Sequence, residues 1–332
     1  MHGMHRMLED FKEVKNKVCV VIPTLNEERN IGGTIDEFRQ EGFEKIFVID
    51  GGSTDRTVEI ARSKGARVEI QTGKGKGQAV AEAFEIVDDD IVILVDGDGT
   101  YSAKDAVKLL EPIAKGIADH VVGNRFSGYE KGAFTKLNLL GNKLLNFVFR
   151  VTYGVELYDI LSGYRALTKD LYKGVDLRKK GFEVETELTV ETIAKGFRIM
   201  EVPVSYRKRG GVTKLSPIRD GVRIASTIYN LLARYSPGRY LYFFGAFLIL
   251  LGFFTGVYTV YEWFKHITHQ LLAILTALLI ITGMQIIIFG VISDFVFRGN
   301  SEIRRELIAL RSEIRKIGEL KLGEIREEGK EK

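Results

Sequence analysis

A single cysteine, Cys19, in a chain of 332 residues rules out an internal disulfide. The five histidines, His2, His5, His120, His266 and His269, have no metal-ligand spacing with it, so no zinc site is expected. Cys19 lies inside the apolar run VCVVI, where a lone thiol reads as core. Net charge is small: the formal sum is +4, too little to expect nucleic acid as a partner. No G-x-G-x-x-G follows the first apolar run, and GKGKGQ lacks the Walker spacing and its closing Lys-Ser/Thr. Neither a dinucleotide fingerprint nor a P-loop is therefore expected. The opening MHGMHRMLEDFKEVKNK is polar and charged, without the apolar run of a signal peptide. Composition is otherwise that of a folded chain, long enough for one large domain or two ordinary ones.

Mean hydropathy is near zero, but the average hides a division. From Tyr240 to Trp263 the chain reads YLYFFGAFLILLGFFTGVYTVYEW, and from Leu271 to Phe297 LLAILTALLIITGMQIIIFGVISDFVF. Each run has at least the roughly 20 mostly apolar residues that cross a bilayer. The short link FKHITHQ makes them a hairpin, so the segments before and after it lie on one side. Arg234 and Arg239 precede the first run and Arg298, Arg304 and Arg305 follow the second, whereas the link carries only Lys265 and two histidines. The positive-inside bias predicts a cell-membrane protein of two spans with the N-terminal domain and the C-terminus both cytoplasmic.

Before the hairpin, apolar β-rich runs at 17–22, 45–49, 67–71, 91–95 and 120–123 alternate with helix patterns near 28–41, 55–64, 76–87 and 104–115. Fully apolar strands between helices predict an α/β domain with a mostly parallel sheet covered on both faces. Helices near 134–153 and 183–195 and a strand near 198–206 follow. Residues 217–237 are amphipathic, with Ile218, Val222, Ala225, Tyr229 and Leu232 on one stripe and Arg219, Arg223 and Arg234 off it. That pattern suits a juxtamembrane helix lying in the membrane interface, or a helix packed on the soluble domain. Ile303, Leu307, Leu310, Ile314 and Ile317 recur at coiled-coil spacing in the tail, which makes a homo-oligomer possible; a solvated amphipathic helix fits the same spacing.

Ligands of such sheets bind beyond the carboxyl ends of the strands. The loops there read PTLNEERN, DGGSTDRT, GKGKGQA and DGDGTYS, and four of them on one rim suggest a nucleotide site. Asp96 and Asp98, separated by Gly97, suit a hard divalent ion such as Mg2+ or Mn2+, which takes one or two carboxylates and completes its shell with substrate phosphates. Asp98 is the expected metal ligand; Asp96 shares the metal or positions the nucleotide sugar.

These motifs carry a resemblance. VVIPTLNEERNI, VIDGGSTDRT, GKGKGQA and VDGDGTY resemble, in order, the motifs of family 2 glycosyltransferases with the GT-A fold, and Asp96-Gly97-Asp98 takes the place of that family's D-x-D. VVGNRF, LLGNKLLN, DILSGYRAL and VPVSYRKRGGVTKL resemble the polyprenyl-phosphate branch, which includes dolichol-phosphate mannose synthases; the combination is most similar to archaeal dolichol-phosphate hexosyltransferases of S-layer N-glycosylation. The resemblance covers about residues 17 to 235. It divides the chain into an N-terminal extension (1–16), a GT-A domain (17–216), the juxtamembrane helix (217–237), two spans (238–298) and a charged tail (299–332).

By position, the resemblance puts Pro23, Thr24 and Glu27 in the nucleotide pocket, Asp50 on base or ribose, Lys76 and Gly77 near base or diphosphate, and Asp98 on the metal. Two departures stand out: Gly51 where many relatives have a second aspartate, and Thr100 where the mannose synthases often have a metal-assisting glutamine. A polyprenyl phosphate is anionic before it attacks, so the chemistry needs placed cations more than a strong base. Arg125, Lys136, Arg209 and Lys214 are the candidates, Arg125 and Arg209 by resemblance. Asp159, expected near sugar or acceptor, could orient a sugar hydroxyl or organise Arg125, and Glu183 and Glu185 could reach the cleft or solubilise a helix. The implied reaction is direct displacement with inversion, from a donor of UDP-glucose or GDP-mannose type to dolichyl or polyprenyl phosphate. Transfer to a sugar hydroxyl is the alternative, disfavoured by two spans and no Q-x-x-R-W, and an inactive nucleotide-sugar-binding scaffold is another.

Overall fold

A computed structural model describes residues 13–178, 181, 183–209, 222, 224, 226 and 237–328. The chain divides into two compact units, Met1–Tyr229 and Asn230–Lys332.

The first unit is built on a seven-stranded sheet of order β3-β2-β1-β4-β6-β5-β7. Its strands are β1 (Val18–Thr24), β2 (Lys45–Asp50), β3 (Arg67–Ile70), β4 (Ile91–Leu94), β5 (His120–Asn124), β6 (Arg165–Thr168) and β7 (Ile199–Pro203). The pairs β1–β2, β1–β4, β2–β3 and β5–β7 are parallel. The described helices of this unit are α1 (Ile31–Gln40), α2 (Thr57–Ser63), α3 (Lys76–Ile86), α4 (Ala106–Ala114), α5 (Lys136–Tyr153), α6 (Lys169–Gly174) and α7 (Val184–Ala194). β1 is buried throughout and its alternate residues serve two cores. Val18, Val20 and Ile22 pack with Ile35 and Phe38 of α1 and Leu109 of α4, while Cys19 and Val21 pack with Val80 and Phe84 of α3 and Leu188 of α7. A strand covered on both faces has no polar side to show, which is why its sequence is a continuous apolar run.

One strand departs from the pattern. β6 runs antiparallel between β4 and β5, with Ile93 opposite Ala166 and Val122 opposite Arg165. The periodicity did not reveal it, nor the following α6, because β6 is short and opens on an arginine. Arg165 is nevertheless fully buried.

Cys19 lies in this core, and burial, followed by the charge of Asp89, pushes its thiol up to about 12. A thiol raised this far stays protonated and unreactive at pH 8. Native protein is expected to resist iodoacetamide at that pH and to take up one equivalent after denaturation, read by mass spectrometry.

The second unit pairs α8 (Pro237–Phe264) with α9 (Gln270–Glu328). Tyr240–Phe264 and Gln270–Val296 are long and apolar enough to cross a membrane. Gly245 and Gly283 let the two backbones approach: a Cβ on either would lie 2.7 Å from the other's carbonyl oxygen. Small residues at the contact are the usual means of tight helix packing in lipid. Thr276 Oγ1 donates to Thr255 Oγ1 across the pair at 3.0 Å. The helix α9 continues without a break into the charged tail, where Ile303 and Leu310 are exposed. The side chains of Leu307, Ile314 and Ile317 lie outside the described residues, as does most of the expected juxtamembrane helix 217–237.

Candidate active site

The rim loops are knitted together by side chains reading each other's backbone. Asn26, with φ of 51°, donates its backbone N–H to Ser53 Oγ at 2.8 Å and accepts from Thr54 N at 2.8 Å. Glu27 N donates to Thr57 Oγ1 at 2.8 Å. Asp50 is fully buried and accepts from Gly52 N at 2.9 Å, Ser53 N at 2.7 Å, Ser53 Oγ at 2.5 Å and Thr24 Oγ1 at 3.3 Å. Through these bonds the carboxylate holds the loop in shape. Pro23 and Thr24 end β1, both buried, directly beside it.

The loop after β4 carries the paired carboxylates. Gly97 passes so close to β1 that a Cβ would lie 2.7 Å from Thr24 Cγ2 and 3.1 Å from Ile22 Cγ2. Asp98 is buried; its Oδ1 accepts from Thr100 Oγ1 at 2.6 Å and Thr100 N at 3.2 Å, and Oδ2 faces Arg209 Nη1 at 3.4 Å. Burial, and then the charge of Asp96, raises the Asp98 carboxyl, with Thr100 and Arg209 opposing. Asp96 is paired with Lys76, whose Nζ also meets Glu185 Oε1 at 2.5 Å. Burial pulls the Lys76 ammonium down, but Asp96 and Glu185 together outweigh it and hold Lys76 charged. Gly77 follows in the buried first turn of α3. Thr100, at the place of the absent glutamine, thus orients the metal-candidate carboxylate. Arg209 bonds Glu27 Oε1 through Nη2 at 2.5 Å, so an expected acceptor-side cation reaches the donor-side loop.

Among the described residues no three Asp, Glu, His or Cys converge as a complete metal cage. The donor set suits a hard cation that keeps water and diphosphate oxygens in its shell: two neighbouring carboxylates, one raised by burial and by the other's charge, gain from added positive charge.

Across the rim stands Arg125. Its Nε donates to Asp159 Oδ2 at 2.8 Å, its Nη2 to Oδ1 at 2.6 Å and its backbone N–H to Oδ2 at 2.9 Å. Burial lowers the guanidinium, Asp159 outweighs it, and Arg125 ends well above its usual value. Phe134 and Tyr206, ring centroids 5.1 Å apart, lie 5.5 Å and 5.4 Å from its guanidinium carbon. Asp159 is wholly buried, and Glu201 Oε1 fixes its backbone N–H at 2.7 Å. Of its two expected uses, the geometry gives Asp159 the holding of Arg125. Lys136 is exposed at the start of α5, and Lys214 lies outside the described residues.

The chain matches the model of glycosyl transferase family 2 over residues 19–175 and that of the glycosyltransferase family 2 C-terminal transmembrane region over 211–296. It is 42% identical over 283 residues to glycosyltransferase AglJ of Haloferax volcanii, covering 84% of this chain and 93% of that one. The chain belongs to glycosyltransferase family 2.

A second relative, the dolichyl-phosphate hexose transferase of Haloferax volcanii, is 35% identical over 218 residues, 64% of this chain and 93% of that protein. Among solved structures, glucosyl-3-phosphoglycerate synthase of Mycobacterium tuberculosis with Mn2+ and UDP-glucose superposes with a TM-score of 0.54 at 25% identity, over 67% of this chain and 82% of that one. The first unit is therefore a GT-A-like domain, the chain a glycosyltransferase, and its C-terminal helices associate it with a membrane.

Behind the glycosyltransferase site lies a network that motif reading missed. Arg165 donates to Ser162 O at 2.8 Å, Ile160 O at 2.6 Å, Thr189 Oγ1 at 2.8 Å and His120 Nε2 at 3.1 Å. Arginine only donates, so His120 accepts at Nε2 and its Nδ1–H turns to Thr192 Oγ1, at 2.8 Å. Burial, and then Arg165, keeps this imidazole neutral; burial, helped by the charge of Arg125 and opposed by Glu185 and Asp159, pulls Arg165 down to about 10. Arg165 thereby clamps the 159–163 turn, whose Asp159 holds Arg125 and whose Gly163 packs against Asp96. The only sequence signal was an arginine inside the otherwise apolar YRAL. Gly163 is testable: a Cβ there would overlap the Asp96 carboxylate, 2.8 Å from Cγ. Gly163→Ala is expected to displace Asp96, lowering kcat/KM by about a hundredfold, as small misplacements at a reacting centre do. Unchanged kinetics would show that Asp96 has room to shift.

Proposed function

We propose that this glycosyltransferase moves a hexose from a nucleotide sugar onto dolichyl or polyprenyl phosphate, with inversion, at the cytoplasmic membrane face. The observation that carries the reading is Arg125: Asp159 engages its Nε and Nη2, and among the described residues Nη1 bonds nothing, leaving a fixed donor for a phosphate oxygen. The dolichyl-phosphate hexose transferase relative and the two apolar spans support a lipid acceptor.

In this reading the acceptor phosphate oxygen attacks the anomeric carbon while the bond from that carbon to the nucleoside diphosphate breaks. The products are a polyprenyl phosphohexose and the free nucleoside diphosphate. An anionic phosphate has no proton to surrender, so no base is required. Asp98 and Asp96 would hold a divalent cation, Mg2+ or Mn2+, which neutralises charge on the departing diphosphate. Pro23, Thr24, Glu27, Lys76 and Gly77 shape the nucleotide pocket, Asp50 contacts base or ribose, and Gly97 braces the wall. Arg125 and Arg209 position the acceptor phosphate, with Lys136 and Lys214 adding positive charge. The cation-rich ends of the hairpin support the cytoplasmic orientation.

The test is transfer of radiolabelled hexose from a panel of UDP- and GDP-sugars to dolichyl phosphate by the purified full chain, with Mg2+ or Mn2+ and with EDTA. Metal-dependent label in the lipid fraction supports the reading and names the donor. Donor binding without lipid labelling would move the hydroxyl-acceptor or scaffold alternative ahead.

A further inference from the structure

The two carboxylates expected to take the metal face cations of the chain itself. Asp96 is paired with Lys76, and Asp98 Oδ2 lies 3.4 Å from Arg209 Nη1. Neither cation belongs to one acid alone. Lys76 Nζ also lies 2.5 Å from Glu185 Oε1, and Arg209 Nη2 lies 2.5 Å from Glu27 Oε1. Each cation is thus shared between one acid of the metal pair and one acid outside it. The sharing is close and largely dry: the side chains of Lys76 and Glu185 are 13% and 4% exposed.

Four carboxylates against two cations leave two negative charges, the charge that one divalent ion neutralises. With the ion on Asp96 and Asp98, the remaining charges pair one to one, Lys76 with Glu185 and Arg209 with Glu27. A buried charge costs free energy unless it is paired, so a cation expelled from the metal pair needs a seat close by. Glu185 has room for the extra bond. Its Oε2 is buried and, among the described residues, accepts no hydrogen bond. An ammonium carries three donors, and Lys76, already on Oε1, can supply Oε2 by letting go of Asp96. Arg209 likewise keeps a buried Nε without a partner among the described residues, a spare donor for a two-pronged contact with Glu27.

We propose that Lys76 and Arg209 are resident counter-cations of the metal pair and exchange with a divalent ion by moving onto Glu185 and Glu27. Glu185 is then a positioning residue: it acts on Asp96 through Lys76. The exchange presupposes the metal-holding role of Asp96 and Asp98 read above. It keeps the released cations charged and tethered at the rim, where the phosphates of donor and acceptor arrive.

The experiment measures Mn2+ binding to the full chain, without nucleotide, by electron paramagnetic resonance. Lys76→Met and Arg209→Met each remove a competing cation and are expected to tighten Mn2+ binding about tenfold, through the positive charge removed beside a dication. Glu185→Gln keeps the shape of the side chain but takes away the second seat, leaving Lys76 to Asp96. It is expected to weaken Mn2+ binding about tenfold. Lys76→Met alone strands Glu185, so the double variant Lys76→Met, Glu185→Leu runs beside it and is expected to bind Mn2+ more tightly than the unsubstituted chain. Arg207, two residues from Arg209 and paired with Glu37, controls for net charge. Its half-exposed charge is screened by solvent, and Arg207→Met is expected to leave Mn2+ affinity within about twofold. Weaker Mn2+ binding by the double variant would make Lys76 a support for Asp96 and overturn the exchange. So would an Arg207→Met effect as large as that of Arg209→Met, or an unchanged affinity in Glu185→Gln. Asp98→Asn distinguishes the two readings. Mn2+ affinity unmoved by that substitution rejects the metal pair and the exchange with it. Affinity lost in Asp98→Asn but unmoved in Lys76→Met and in the double variant rejects the exchange alone.

Discussion

Asp98→Asn is expected to lose about a thousandfold in metal-dependent kcat/KM, equivalent to roughly 4 kcal/mol of transition-state stabilisation from a cation on the leaving diphosphate. The amide keeps the shape of the carboxylate and an oxygen to accept from Thr100 Oγ1, now 2.6 Å from Asp98 Oδ1. It removes the negative charge facing Arg209, which retains Glu27 as a partner. The fold is expected to tolerate the change. A carboxyl raised by burial binds its proton more readily folded than unfolded, so ionisation at neutral pH opposes folding and an uncharged amide does not. Two measurements decide: Mn2+ binding followed by electron paramagnetic resonance, and transfer across a Mn2+ titration. Weak Mn2+ binding with an unfolding midpoint that holds or rises supports the ligand role. Mn2+ affinity and turnover within a few-fold of the unsubstituted protein would assign the metal elsewhere.

The second large effect concerns Arg125 and Asp159. Asp159→Ala strands a buried guanidinium without its counter-charge, and breaking such a pair from one side costs about 3–5 kcal/mol. For a unit of this size that lowers the unfolding midpoint by about 10 °C, measurable by circular dichroism. Transfer is expected to fall with it, because the turn that aims Arg125 is lost. The double substitution Arg125→Met, Asp159→Leu separates architecture from chemistry. Replacing both charges by apolar groups of similar size is often neutral for stability. The double variant should therefore fold close to normally while transferring no hexose to lipid phosphate. Recovered transfer alongside recovered stability would mean the pair is purely structural.

The order in which elements became visible follows their physics. β1, β2, β4 and β5 were legible as apolar runs because each is buried by its neighbours. The rim loops were legible as Gly-, Asp- and Thr-rich breaks, and the spans as the two longest uncharged stretches. The reversed strand β6 was hidden because its first residue, Arg165, is satisfied by oxygens of two other segments, the 159–163 turn and α7, and by the His120 ring of β5. The exposure of Leu140, Leu144, Phe147 and Val151 along α5 left no mark on the helical pattern, since periodicity reports that a face is apolar and not whether anything covers it.

The sequence by itself determined the α/β class, the loop-rich rim, the Asp96-Gly97-Asp98 candidates and the two long apolar helices, because each is written in contiguous residues whose burial or solvation is local. Only the tertiary structure decided which charges meet. Lys76 stands between Asp96 and Glu185, Arg209 reaches Glu27 from 182 residues away, and Asp159 turns inward to Arg125. Ion pairing depends on distance in space, and sequence spacing beyond one turn of helix or one strand pair carries no trace of it.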